Sequence, residues 1–228
     1  MAVLIDSYSE SNYSENLPFS PTYTEWGQSF MGNGFVFTGN GLVLNSAAFY
    51  LVRQGSATGS MTARVYTHSG IYGTNSQPTG TALAISDSVD ASTISNAGFA
   101  LYTFNFSGAQ KIFIANATYY IVTLQYTNAD ASNYILMGGD NTSPTALGNY
   151  CFWYGAWGSS SLHDLIFYVY GDNPFNPILS DSVAVTDSRT LYETSYKLIV
   201  NDSEPITDAI SNIRLVSPYS KGNFFRIM

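Results

Sequence analysis

Asp164-Leu-Ile-Phe-Tyr-Val-Tyr-Gly171 decides the reading of this chain. A run rich in β-branched and aromatic side chains, closed by a glycine, is a strand signal. Leu165, Phe167 and Val169 alternate with Ile166, Tyr168 and Tyr170, so both faces are apolar and the strand is expected to be buried on both. The segment also marks a seam. The chain before Gly171 carries one strand pattern after another, while the stretch 172–228 differs in composition and carries a repeat of its own.

Working back from the seam, period-2 alternation dominates. Tyr120, Val122, Leu124 and Tyr126 share one face of Tyr119–Tyr126, and Tyr102, Phe104 and Phe106 share one face of Leu101–Phe106. Met61–Thr67 alternates Met61, Ala63 and Val65 against Thr62, Arg64 and Tyr66. In Gly41–Arg53 the apolar positions Leu42, Leu44, Phe49 and Leu51 change parity near Ser46-Ala47, which predicts a bulge. Further strands are expected in Asn133–Met137 and Tyr150–Trp157. The polar N-terminal segment, up to Glu25, is expected to hold one short strand and a surface loop. Turns are expected at 54–59, 73–80, 128–130 and 138–144, where Gly, Asn, Asp and Pro cluster. No amphipathic helical pattern of useful length occurs. Short strands at this spacing predict an all-β fold: an antiparallel, jelly-roll-like β-sandwich over positions 1–171.

Working forward, Asn173-Pro-Phe-Asn-Pro177 reads as a stiff, extended linker. Asp181-Ser-Val-Ala-Val-Thr-Asp187 then returns as Asp202-Ser-Glu-Pro-Ile-Thr-Asp208. Two repeats are too few for a self-sufficient array. The chain ends on Phe224-Phe-Arg-Ile-Met228. The stretch 172–228 is therefore expected to form an extended, β-rich C-terminal arm that attaches to a neighbour, with Phe224, Phe225 and Ile227 as terminal anchors.

Composition narrows the partners. The 228 residues are 45% hydrophobic but only 11% charged, and the formal net charge is −8. Up to Gly171 the basic side chains are Arg53, Arg64 and Lys111 alone, too few to build the basic face that nucleic acid or anionic lipid requires. Cys151 is the only cysteine, so neither an internal disulfide nor a Cys-based zinc site can form. No apolar run is long enough to span a membrane as a helix. The N-terminal Met-Ala-Val-Leu-Ile-Asp lacks a signal-peptide pattern, which is expected either if a leader was trimmed or if the protein is made in a cytoplasm and assembled there, as a virion component is.

Candidate sites are few. Tyr150-Cys-Phe-Trp-Tyr-Gly-Ala-Trp157 is dense in aromatic rings. Trp153, Tyr154 and Trp157 could stack on sugar rings, fill the core or meet another subunit, and all three readings stand at this level. Asp130, Asn133, Asp140 and Asn141 offer oxygens of the kind calcium takes, but Asx turns use the same residues and no calcium-loop spacing is present. Ser161, His163 and Asp164 cannot line up as a triad, because neighbours on a strand point to opposite faces. His68 alone makes no metal site and reads as a cross-strand or turn residue. Glu10, Glu15 and Glu25 lie in a polar N-terminal segment without the facing partner that glycoside hydrolysis needs. The N-x-S/T matches at Asn12, Asn105, Asn116, Asn141 and Asn201 are expected by chance in so Ser/Thr/Asn-rich a chain. No catalytic residue, metal or cofactor is predicted.

The segments Ala48–Leu51, Gly55–Gly59, Ala63–Tyr66, Tyr72–Thr74, Pro78–Leu83, Phe104–Gly108, Tyr119–Tyr126, Asp130–Tyr134, Ser143-Pro144, Gly148-Asn149 and Asp164–Gly171 together resemble Ser/Thr-rich β-sandwich domains of the choice-of-anchor surface type and phage head or tail accessory proteins. The resemblance covers roughly positions 1–171, and the Asp-Ser-Val-x-Val-Thr-Asp tail resembles short β repeats that follow such domains. It implies a structural or adhesive module with no catalytic residues to carry over. The expected function is a virion structural protein of a tailed phage, a capsid decoration or a head or tail fibre component. Its partners would be other copies of itself or a major capsid or tail protein. The alternatives are a carbohydrate-binding or adhesion module on a cell or virion surface, recognising a surface glycan, and a strand-donating extracellular filament subunit.

Overall fold

The computed structural model of the chain describes residues 2–32 and 41–172. Fifteen strands follow in chain order: β1 (Val3–Tyr8), β2 (Glu15–Pro18), β3 (Glu25–Met31), β4 (Gly41–Gln54), β5 (Ser60–Ser69), β6 (Gln77–Ile85), β7 (Val89–Asp90), β8 (Ala100–Asn105), β9 (Phe113–Ala115), β10 (Tyr119–Tyr126), β11 (Tyr134–Asp140), β12 (Tyr150–Trp153), β13 (Trp157–Ser160), β14 (Asp164–Leu165) and β15 (Phe167–Asp172). The only helical turns among the described residues are three short 3-10 segments, and no helix is long and apolar enough to cross a membrane.

All pairings are antiparallel and divide into two sheets. In the eight-stranded sheet the order β1-β15-β4-β11-β14 forms the main path, with β2 on β11 and with β8 and β9 on β4. In the seven-stranded sheet the order is β13-β12-β3-β10-β5-β6, with β7 on β5. The chain passes from one sheet to the other at most connections, so the two sheets enclose one interior in a jelly-roll-like sandwich. Strand β4 organises the first sheet: at 14 residues it is long enough to carry β15 and β11 along one side and β9 and β8 along the other.

The core is aromatic and aliphatic, and follows the alternation of the sequence. Phe49 and Leu51 of β4, Phe104 of β8, Val122 and Leu124 of β10, and Phe167 and Val169 of β15 are almost wholly buried in one cluster. The bulge in β4 is present: Tyr170 pairs with Ser46 and Gly171 with Leu44, which leaves Asn45 as the extra residue. Tyr126 is fully buried too, and its hydroxyl is satisfied by donating to the Thr58 carbonyl at 2.9 Å.

Several expectations are corrected. The segment Asp164–Tyr170 is two strands, broken at Ile166. Its outer face is half-exposed, with the Tyr168 and Tyr170 rings stacked 6.2 Å apart and the Tyr168 hydroxyl donating to Glu10. Ahead of Glu25 the chain forms two strands where one was expected, and β1 pairs with β15 along its length. The turn predicted at 73–80 ends earlier, because β6 begins at Gln77 and runs through Pro78. That proline is tolerated because β6 edges its sheet. Strand β3 carries no alternation and is buried almost throughout. Apart from Asp172, the arm 172–228 with Phe224, Phe225 and Ile227 lies outside the described residues.

The seven-stranded sheet has a second small core on its outer face, where Tyr66, Ile121 and Cys151 are buried together with Ala82 and Trp157 packed against them. The β12–β13 hairpin curls over that face until Trp157 meets Tyr66 edge-on at 6.0 Å and Gln77 Nε2 donates to Ser159 Oγ at 3.5 Å. Gly27 permits the curl: a Cβ there would sit 2.6 Å from Thr123 Cγ2 and 3.1 Å from Cys151 Sγ.

Candidate functional site

The aromatic run of the sequence forms the β12–β13 hairpin. Alternation along β12 sends Tyr150 and Phe152 toward the main core around Trp26, and Cys151 and Trp153 to the outer face. Trp153 and Trp157 are cross-strand partners, half-buried, with ring centroids 5.4 Å apart in an edge-to-face arrangement. The tight turn 154–156 carries Gly155 at φ +98, in the left-handed region that favours glycine. It carries Tyr154 away from the tryptophan pair, against Phe152 and Tyr23. Tyr154 is 51% and Tyr23 37% exposed. The structure thus brings Trp153 and Trp157 together and places Tyr154 with Tyr23 instead.

Beneath the hairpin lies Glu25, 3% exposed. Its carboxylate accepts from Thr123 Oγ1, from Tyr66 OH at 3.1 Å and from Gln125 Nε2 at 3.1 Å. Burial pushes this carboxyl up, against the pull of those bonds and of the Arg64 guanidinium. Apart from Asp90 in β7, Glu25 is the only carboxylate on the strands of this sheet. A pair of facing carboxyls for glycoside hydrolysis does not form there.

The other chemistry-bearing residues separate into structural roles. Asp130 Oδ1 accepts from the Ser132 and Asn133 amides at 2.7 and 2.8 Å, an Asx turn. Asp140, at the far end of β11, accepts from Tyr8, Ser14 and Thr142. Among the described residues no group of three or more His, Cys, Asp or Glu side chains is placed to share a metal ion. Asp164 turns inward, accepting from Gln28 Nε2 at 2.7 Å and the Ala146 amide at 2.9 Å, while the His163 ring packs beside Tyr150 at 5.0 Å. It is Ser160, not Ser161, that meets His163, Oγ to Nδ1 at 3.1 Å, with Glu15 Oε1 3.8 Å from Nε2. Ser160 Oγ also accepts the Leu162 amide, so this line of groups closes a local turn. His68 bonds Ser76 through Nε2 at 2.9 Å and packs beside Tyr72 and Tyr119.

A feature that no local spacing announced is a cleft of about 420 Å³ between β1 and β3, closed by the loop at Thr145–Gly148 and by Tyr72. Its lining comes from separate stretches of chain. The Tyr72 ring stacks on Tyr119 at 4.2 Å. Gly148 lets the loop press onto β3, since a Cβ there would lie 2.0 Å from the Ser29 carbonyl oxygen. Buried Asn149 ties that loop to the Tyr72 turn by accepting the Ser76 amide at 3.0 Å. Asp6, in the floor, accepts from the Ser7 and Met31 amides, and burial raises its carboxyl above the ordinary value. The one sequence signal was a tyrosine inside a turn held by Gly70 and Gly73, both at positive φ.

Comparison of the chain with protein-family models, with curated proteins and with solved structures finds no match in any of the three.

Proposed function

We propose that this chain is a virion structural protein of a tailed phage, a capsid decoration or a head or tail fibre component. In this reading the sandwich is the exposed module and the stretch 172–228 is the arm that attaches it. The observation that carries the reading is the half-exposed Trp153–Trp157 pair, continued around the hairpin tip by Tyr154 and Tyr23. Trp and Tyr concentrate in the cores of protein interfaces, where their rings leave water with little loss of side-chain freedom. The hydroxyl-rich, weakly charged composition suits a repeated surface element.

Antibodies against the purified chain, applied to particles in immuno-electron microscopy, test this. They are expected to label virus particles at regular positions, and Trp157→Ala or deletion of 172–228 should lower incorporation. Label confined to cell surfaces would refute the virion reading. A second reading, a glycan-binding adhesion module, is favoured by the cleft beside Tyr72, whose lining is polar and aromatic at once.

A further inference from the structure

We propose that the cleft between β1 and β3 is a binding site for a neutral saccharide, with Tyr72 as the stacking wall and Asp6 as the acceptor in the floor. The inference rests on the adhesion reading and gives it a location distinct from the tryptophan hairpin, with which the cleft shares no residue.

The size fits. About 420 Å³ lies in the lower part of the ~300–1,000 Å³ range of small-ligand pockets. So does the polarity. A sugar ring has an apolar face of C–H groups and a rim of hydroxyls that both donate and accept. Tyr72 is braced from behind by Tyr119, so its position is set before any ligand arrives. The exposed Leu147 extends the apolar wall at the rim. Facing this wall are groups with unused hydrogen-bonding capacity. Each Asp6 carboxylate oxygen accepts a single backbone amide and can take one more donor. Among the described residues, the Ser7 hydroxyl, the Asn12 side-chain amide and the Tyr72 hydroxyl have no hydrogen-bond partner, and all three residues line the cleft.

Charge selects the ligand class. No lysine, arginine or histidine lines the cleft, and a carboxylate sits in its floor. A phosphate, sulfate or sialic acid carboxylate would meet repulsion with nothing to neutralise it. A neutral polyol meets acceptors and donors alone. The walls are held by buried polar bonds, Asn149 to Ser76 and Ser29 to Asn149, so ordering the loop adds little to the cost of binding.

The full-length chain should be screened against immobilised neutral hexasaccharides (gluco-, manno-, xylo- and N-acetylglucosaminyl series) beside sialylated and sulfated glycans. Any hit should then be measured by titration calorimetry. At least one neutral series is expected to bind. Tyr72→Ala and Asp6→Asn should each weaken it about tenfold or more, and Trp157→Ala should leave it unchanged. Tyr72→Phe keeps the ring and the fold, and should retain more affinity than Tyr72→Ala. Binding that survives both cleft substitutions but is lost in Trp157→Ala would overturn the cleft while leaving the adhesion reading in place. Absence of binding to every neutral series would overturn both, and a preference for the anionic glycans would overturn the charge argument.

Discussion

Asp140→Ala should be among the most damaging single changes that leave the hydrophobic core untouched. Asp140 closes β11 and is 2% exposed. One of its oxygens accepts from Ser14 Oγ at 2.6 Å and from the Thr142 amide and hydroxyl, both at 2.9 Å. The other accepts from Tyr8 OH at 2.7 Å. Ser14 and Tyr8 come from the far N-terminal end of the chain, so those two bonds are tertiary, whereas the Thr142 bonds are local to the turn. A hydrogen bond to a charged group contributes about 1.5–3 kcal/mol, so the two tertiary bonds set a loss of ~3–6 kcal/mol. Water entering beside the exposed positions 141–143 brings the expectation to the lower end, about 3 kcal/mol, a large share of the ~5–15 kcal/mol of an ordinary domain. Asp140→Asn keeps one acceptor oxygen for Ser14 and Thr142, and the Tyr8 hydroxyl can turn to accept from the new amide. Its cost should be about 1–2 kcal/mol.

Urea unfolding followed by tryptophan fluorescence measures this directly, because all three tryptophans, Trp26, Trp153 and Trp157, lie in the sandwich. Burial alone would raise the Asp140 carboxyl, but the bonds from Ser14, Thr142 and Tyr8 outweigh it and hold the group well below its ordinary 3.8. A depressed folded-state value means stability that is fully present above about pH 4–5 and is lost as pH falls through the acid range. The gap between wild type and Asp140→Ala should therefore narrow below about pH 4. A gap under ~1 kcal/mol at pH 7, or one that stays constant down to about pH 3, would refute the reasoning.

Asp164 carries the opposite sign: burial pushes its carboxyl up to about 6, against the Gln28 and Ala146 bonds, so its contribution is present below about pH 4 and lost as pH rises toward 6. Urea midpoints of the wild type should fall between about pH 4 and 6.5 and fall less in Asp164→Asn; an equal slope in the two proteins would show that Asp164 does not titrate there. The Cys151 thiol is wholly buried in the second core, and burial raises it well above its ordinary value. A thiol reagent at about pH 8 should label it only after unfolding, and equal labelling rates with and without urea would contradict the curled hairpin.

Strands whose apolar residues face one interior could be read from the sequence, as Tyr120, Val122, Leu124 and Tyr126 show. Strand β3 could not, for a physical reason. Its Glu25, Gln28 and Ser29 are buried on hydrogen bonds to Thr123, Asp164 and Asn149, partners remote in sequence, so a core strand carries polar letters. Pro78 hid the start of β6 because only an edge position tolerates it, and edges are a property of the sheet. The density of rings at 150–157 flagged the hairpin, but Gly155 decides which way Tyr154 leaves it. Beyond the glycine-flanked Tyr72, the cleft left no mark in the sequence, because Asp6, Asn12, Tyr72 and Thr145 share no periodicity. Only the topology brings them together.

The two ends of β11 show where this sandwich places its buried polar groups. At the start of the strand, Asp130 and Asn133 make an exposed turn whose bonds run among neighbours, with one bridge from Asn133 to the Ser56 amide. At the other end, Asp140, Asp164 and Asn149 all bond to the chain between 140 and 150, and through Tyr8, Ser14, Gln28, Ser29 and Ser76 they anchor that stretch to both sheets. Buried polar groups contribute less to stability than apolar residues of the same volume, and the raised carboxyl of Asp164 records a real electrostatic cost. What such groups provide is a single loop geometry, since hydrogen bonds have direction and apolar contacts do not. The Thr145–Gly148 loop does more than connect: its fixed geometry forms one wall of the cleft, opposite Asp6 and beside Tyr72. The asymmetry between the two ends is what the proposed cleft requires, a wall held in place before any ligand arrives.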